Sequence, residues 1–300
     1  MKSTKMKRPS IKNVQTRVPP RSTQAPQNRG HNQSHGPLQG PHRPFSQRPK
    51  IRPSEAPTQT LYGRHPVTYA LMNPHRTHTR LRLTEGAANM LFETIPDLTQ
   101  KSLNEKVPLL MCTPHQMDAQ LPKGTPHQGL ILETSCLPPL SLEDLMTQAP
   151  QGPYIMLDQI TDPHNAGAIF RSCKALGATA VIMTERNSPD LTSPVLAKSA
   201  SGALELLPLC MVGNLTQAMA QLHDAGFETI GLAEGGKNMT ALPLNPTKTC
   251  LIMGAEGKGL RRLTMERATH LAALPTDASF STLNVSIATA LALHIVQQSK

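Results

Sequence analysis

The sequence predicts an α/β protein whose larger part carries a parallel sheet covered by helices on both faces. Apolar runs of strand length recur at residues 154–160, 178–183, 206–212, 229–233, 250–253 and 270–274. Helical patterns fill the intervals at 166–176, 194–200, 215–225 and 259–268, and a last one runs over 285–298. The strand runs are continuous rather than alternating, as expected when both faces are buried. In open sheets of this kind ligands bind beyond the carboxyl ends of the strands, so the loops that follow strands should carry the chemistry.

A smaller α/β segment precedes this one. It begins at 61–71, continues through an extended 80–83, a helix over 87–95 and a strand at 107–112, and ends with a short helix and a strand at 129–133. The expected organisation is a domain at 58–135, a linker at 136–152 containing Pro138, Pro139 and Pro150, and a larger domain at 153–300. Ahead of both, residues 1–54 hold twelve Lys or Arg and no acid, whereas 55–300 hold the other eighteen against all twenty acids. The net charge of +10 therefore belongs to the N-terminus, and the folded part is close to neutral. Residues 1–57 also contain ten of the 28 prolines and a single aromatic, Phe45. Such a stretch cannot bury enough apolar surface to offset chain entropy and is expected to be disordered. It reads as an RNA-tethering arm acting through counterion release, as a solubilising extension, or as a targeting peptide.

Composition excludes several classes. No window approaches the roughly 18 apolar residues of a membrane span, and the basic N-terminus lacks the apolar core of a secretory signal. The five cysteines, at 112, 136, 173, 210 and 250, show no CxxC spacing, so neither a disulfide framework nor a metal site is expected. The cytoplasm is the expected compartment.

Three loops are chemically unusual. The first, Asp162-Pro163-His164-Asn165-Ala166-Gly167, follows a strand and opens a helix that carries Arg171. Asn165 reads as its N-cap and Pro163 as the stop of the strand. Gly167 costs helix stability of up to about 1 kcal/mol, which suggests that something approaches the backbone there. The second, Gly254-Ala255-Glu256-Gly257-Lys258-Gly259-Leu260, offers bare backbone groups to a flat polar ligand. It has the glycine separation of a phosphate loop but Leu260 where that loop needs Lys. The third runs from Leu274-Pro275-Thr276 to Ser281-Thr282-Leu283-Asn284-Val285-Ser286, and a helix cap explains only one or two of its polar residues.

In order and spacing, Asn165-x-Gly167-x-x-x-Arg171, Gly254-x-Glu256-x-x-Gly259-Leu260 and Leu283-Asn284-Val285-Ser286 resemble the three motifs of the SpoU/TrmH (SPOUT) class of RNA ribose 2′-O-methyltransferases. Leu61-Tyr62-Gly63-Arg64-His65-Pro66-Val67 and His127-Gln128-Gly129 resemble the ends of that class's L30e-like substrate-binding domain. Ser201-Gly202-Ala203 and residues 254–263 look most like the bacterial branch that methylates a guanosine in 23S ribosomal RNA.

The resemblance implies a deep trefoil knot in the C-terminal domain, S-adenosylmethionine as methyl donor, and a homodimer with the active site at the subunit interface. It places the donor against Gly254, Ala255, Gly259, Leu274, Pro275 and Leu283. It makes Arg171, Asn165, Glu256, Thr282 and Asn284 the catalytic cluster, with Arg171 either a base or an electrostatic clamp on the oxyanion and phosphate. No membrane or metal enters. Two positions depart from the family pattern: Thr276 stands where Met is common, and Thr282 where Ser is usual. A transfer-RNA methyltransferase and a non-catalytic ribosome-assembly protein of the same fold are the competing readings.

Overall fold

The computed structural model describes residues 57–95, 99–277, 279 and 282–299. The expected basic tail, apart from Pro57, and Ser281 of the third motif lie outside the described residues.

The smaller sheet is built from β1 (Thr58–Tyr62), β2 (His78–Leu83), β3 (Leu109–Met111) and β4 (Leu130–Ser135), in the order β1-β4-β2-β3. β4 pairs antiparallel with both neighbours and β2 pairs parallel with β3. Helices α1 (Arg64–Met72), α2 (Glu85–Thr94), α3 (Gln100–Lys106) and α4 (Pro114–Asp118) connect them. Thr84 caps α2 by accepting from the Ala87 N–H, and Thr113 and Gln116 form a reciprocal capping box on α4. α3 was not expected from the sequence. Within QKSLNEK only Leu103 reaches the core, so no apolar period marks it.

The expected linker also contains a helix, α5 (Leu142–Gln148), capped by Ser141. Leu142 and Leu145 are buried with Cys210 and Met219, which ties this segment to the larger sheet.

That larger sheet comprises β5 (Tyr154–Asp158), β6 (Ala180–Thr184), β7 (Leu209–Val212), β8 (Glu228–Asn238), β9 (Thr249–Gly254) and β10 (His270–Ala273). Every pairing is parallel, in the order β10-β8-β9-β5-β6-β7. Successive residues of a strand serve opposite layers. Ile155, Leu157, Val181, Met183, Leu251 and Met253 pack beneath α6 (Pro163–Ala175), α7 (Pro194–Ala200) and α11 (Val285–Gln298). Tyr154, Met156, Ile182, Cys210, Cys250 and Ile252 pack against α5 and α9 (Leu215–Asp224). Each buried aliphatic of this kind contributes roughly 1.5–3 kcal/mol of transfer free energy. Burial pushes the Cys173 and Cys250 thiols well above their ordinary value, as expected of packing rather than reactive cysteines.

Three expectations shift in detail. The run at 206–212 splits into α8 (Ala203–Leu206) and β7. β8 extends well past residue 233 because its register against β10 breaks between Leu271 and Ala272, and Gly236 lies flat on the Ala272 backbone. The helix expected at 259–268 is the shorter α10 (Arg262–Arg267), because Gly259 has φ 64° and belongs to the preceding turn.

The two sheets are joined by specific contacts. Glu205 of α8 receives Arg76 Nε (3.0 Å) and Nη2 (2.6 Å) and Asn73 Nδ2 (2.8 Å), in an ion pair whose side chains are only 2–3% exposed. Tyr69 covers Gly202 so closely that no side chain fits there, and Lys198 donates to Gln128 Oε1 (2.7 Å). A cavity of about 570 Å³ lies at this junction, beside Gln59 and Glu205 rather than at the three motif loops.

Candidate active site

α6 begins at the carboxyl end of β5, the central strand of the motif region. Its N-cap is Asp162, whose carboxylate accepts from the His164 N–H (3.2 Å) and the Asn165 N–H (3.0 Å). Pro163 occupies the first helical turn, where a missing N–H costs nothing. The expectation that Asn165 caps this helix is therefore corrected. A carboxylate one turn earlier takes the orphan donors, and the Asn165 side chain is released for other work.

That work is a hydrogen-bonded chain across three distant loops. Asn165 Nδ2 donates to Glu256 Oε2 (3.0 Å), and Asn165 Oδ1 accepts from Asn284 Nδ2 (2.9 Å). Asn284 is the N-cap of α11, its Oδ1 accepting from the Ser286 N–H (2.9 Å) and Ser286 Oγ (2.6 Å). Both ends fix the amide orientations. A carboxylate can only accept, so Asn165 must turn its NH₂ toward Glu256 and its oxygen toward Asn284. The backbone N–H of Ser286 can only donate, so Asn284 must present its oxygen there and its NH₂ to Asn165. The polarity of the whole chain follows from its termini.

Gly167 fits the expectation that something approaches its backbone closely. A Cβ there would lie 2.5 Å from Ser199 Cβ and 2.6 Å from the Leu196 carbonyl oxygen. The close approach is that of α7, so this glycine allows two helices to pack.

The glycine loop after β9 is closed on itself. The Ala255 N–H donates to the Gly259 carbonyl (3.1 Å) and the Gly259 N–H returns to the Ala255 carbonyl (2.8 Å). These backbone groups are therefore not bare, as the glycine count suggested. A Cβ on Gly254 would collide with the Gly259 carbonyl carbon, so Gly254 serves the closure of the loop. Beyond Gly257 and Gly259 there is open space, and Glu256 at the exposed tip is aimed at Asn165.

The third loop contributes half-buried Leu274 and Leu283 and exposed Pro275 and Thr282. Arg171 is exposed on α6, and among the described residues no hydrogen bond or ion pair joins it to the amide chain. Six residues of helix separate it from Asn165, about 9 Å along the axis and roughly 120° around it. The fold thus gathers Asn165, Glu256 and Asn284 and leaves Arg171 apart.

Asp158 was missed. It ends β5 with a fully buried carboxylate that accepts from Arg261 N–H (3.1 Å), Arg261 Nε (2.6 Å) and Thr264 Oγ1 (2.7 Å). These bonds anchor the downstream end of the glycine loop to the strand that leads into α6. A lone acid closing an apolar strand was the available signal, since buried carboxylates need partners.

A family model described as the SpoU rRNA Methylase family matches residues 152–294, and one described as RNA 2'-O ribose methyltransferase substrate binding matches residues 60–139. The 23S rRNA (guanosine-2'-O-)-methyltransferase RlmB of Pseudomonas putida is 37% identical over 239 residues, 78% of this chain and 94% of that protein. The chain belongs to the SpoU rRNA methylase family. Among its SpoU relatives, the RlmB of Neisseria meningitidis is 30% identical over 80% of this chain and 95% of its own. The fold is shared with the SpoU methyltransferase AviRb from Streptomyces viridochromogenes, solved in complex with AdoMet. That structure has a TM-score of 0.64 and 21% identity, over 80% of this chain and 90% of that one. It is shared equally with an AdoMet-bound rRNA methyltransferase from Sinorhizobium meliloti, with a TM-score of 0.66 and 20% identity over 80% and 87%.

Proposed function

We infer that this chain transfers a methyl group from S-adenosylmethionine to the ribose 2′-oxygen of a guanosine in 23S ribosomal RNA. The observation that carries the reading is the amide chain through Asn284, Asn165 and Glu256. It draws the three loops that carry the SpoU motifs to one place from positions 119 and 91 residues apart. Among the described residues no three His, Cys, Asp or Glu side chains are grouped as for a metal ion.

The donor supplies a sulfonium-activated methyl group. The residues present suit such a molecule: half-buried Leu274 and Leu283 offer apolar contact beside Pro275, and the turn closed between Ala255 and Gly259 leaves open space at Gly257 and Gly259. Asn165, Glu256 and Asn284 form a pre-oriented polar wall that positions the ribose, and positioning of two bound reactants is the main source of rate here. Thr282 adds an exposed hydroxyl at its edge. Arg171 acts as a cation that clamps the neighbouring phosphate and stabilises charge developing on the 2′-oxygen, since a guanidinium does not give up its proton.

Because Arg171 stands away from the wall in its own chain, we assign its partner wall to a second copy in a homodimer. The outer face of α11, which Asn284 caps, supports this reading: Ile287 is 53% exposed and Leu291 44%. A two-fold axis at such a face would set each Arg171 against the other protomer's cluster. The trefoil knot belongs to the same proposal. After β10 at the sheet edge, the chain returns to lay Asn284 beside Asn165 and α11 against α6, which leaves from the central β5. Residues 58–135, with an L30e-like role, would present the RNA, and 153–300 would carry the transfer. The cytoplasm is the proposed site of action; among the described residues no helix is long and apolar enough to cross a membrane.

The test is direct. Purified chain, labelled S-adenosylmethionine and unmethylated 23S ribosomal RNA should yield 2′-O-methylguanosine at one position by mass mapping. Label appearing only in transfer RNA, or none while the donor binds by calorimetry, would refute the assignment.

A further inference from the structure

A second polar cleft, of about 390 Å³, opens at the carboxyl ends of β5, β6 and β7. It is lined by Gln159, Thr184, Arg186, Asn187, Arg262 and Leu263, among others, and none of these belongs to the three motif loops' amide chain. Gln159 directly follows β5, three residues before Asp162 caps α6, so the cleft lies at the same carboxyl end of the sheet as the proposed active site.

The rim is cationic, and the backbone turn that carries Arg186 is pinned. Arg186 is exposed. Arg262 is 75% exposed, and its ion pair with Glu266 within one helix (2.6 Å) is of the solvent-facing kind that contributes little and is easily exchanged for another anion. Arg261 is committed to Asp158 and serves as scaffold. The turn bearing Arg186 is pinned, with Thr184 Oγ1 donating to the Arg186 carbonyl (2.5 Å) and Ser188 Oγ to the Thr184 carbonyl. Of the four non-glycine residues with positive φ among the described residues, two face this cleft: Gln159 at 61° and Asn187 at 57°. Such conformations persist only where the surroundings enforce them, and they cluster at ligand sites. Beside the cations, Leu263 is 53% exposed, an apolar surface on which a base can lie.

We propose that this cleft is an RNA subsite in which Arg186 and Arg262 clamp a phosphodiester flanking the methylated nucleotide, with Gln159 and Asn187 beside its base. The proposal rests on the reading that RNA is the substrate. It makes Arg186 and Arg262 determinants of RNA affinity and of which nucleotide reaches the amide chain.

The experiment uses the full chain and transcribed 23S ribosomal RNA. Arg186→Gln, Arg262→Gln and the double variant are compared with wild type and with Arg267→Gln, which removes a cation of the same helix outside the cleft. Each single variant should weaken RNA binding about fivefold and the double about twentyfold. The slope of log affinity against log salt should shrink by about 0.7 per lost contact on a single strand. Affinity for S-adenosylhomocysteine should stay at the wild-type value in every variant, and Arg267→Gln should match wild type throughout. Wild-type affinity and slope in the double variant would overturn the subsite. The two failures are distinguishable, because the binding series judges the cleft whether or not the wild-type chain methylates the RNA.

Discussion

Asn165 and Arg171 sit on one helix, six residues apart, and the protein treats them in opposite ways. Asn165 is held at both ends of its side chain, by Glu256 and by Asn284, and its backbone N–H is taken by Asp162. Arg171 is exposed, with no such restraint among the described residues. One chain therefore completes an oriented polar wall by itself, and Arg171 is displayed outward on the same helix. In the homodimer we propose, the geometry is stored within a chain and the charge is delivered across an interface.

That contrast can be broken or sharpened by substitution. Arg171→Ala should have the largest effect, a loss in turnover of about 10²–10³, with melting temperature and donor affinity unchanged. A comparable fall in melting temperature would mean that Arg171 is structural. Gly167→Ala should show the reverse, because its Cβ meets Ser199 and the α7 backbone. A loss of about 1–3 kcal/mol in urea unfolding is expected, as for an overpacked core. Asn165→Ala should affect both properties, slowing turnover about tenfold and costing about 1–2 kcal/mol, since Asn284 Nδ2 and Glu256 lose their partner. Asp162→Ala should be mildest, removing about 1 kcal/mol as a lost helix cap, with most activity retained. A larger activity loss there than in Asn165→Ala would make Asp162 part of the site.

Much of this was legible in the sequence, for identifiable reasons. The six parallel strands announced themselves because burial on both faces leaves unbroken apolar runs. α11 was placed at 285–298 because its apolar period is long and clean. What escaped was governed by few residues or by distant partners. α3 buries only Leu103 among its polar neighbours, and α5 lay in a proline-rich stretch that reads as a connector. In the site, the motif spacing identified Asn165, Glu256 and Asn284, but not how they connect. Asp162 takes the orphan donors of α6, and the oxygen with which Asn165 could have capped a helix accepts instead from Asn284, 119 residues away. Gly167 is singled out in the sequence as a place of close approach, and the approaching group is α7, while Gly254 is met by the loop's own Gly259. A glycine reports that space is short without saying what fills it. Asp158 stood at the end of an apolar strand, and its partners Arg261 and Thr264 lie more than a hundred residues on.

The most direct test mixes two inactive proteins. Arg171→Ala and Glu256→Ala chains are each purified, combined in equal amounts under conditions that allow subunits to exchange, and assayed for methyl transfer to 23S ribosomal RNA. If each cation serves the other protomer's wall, half of the dimers become mixed and each regains one intact site. Activity should then return to about a quarter of wild type. Exchange without any recovery would place Arg171 and the amide chain of one protomer in the same site and contradict the composite arrangement.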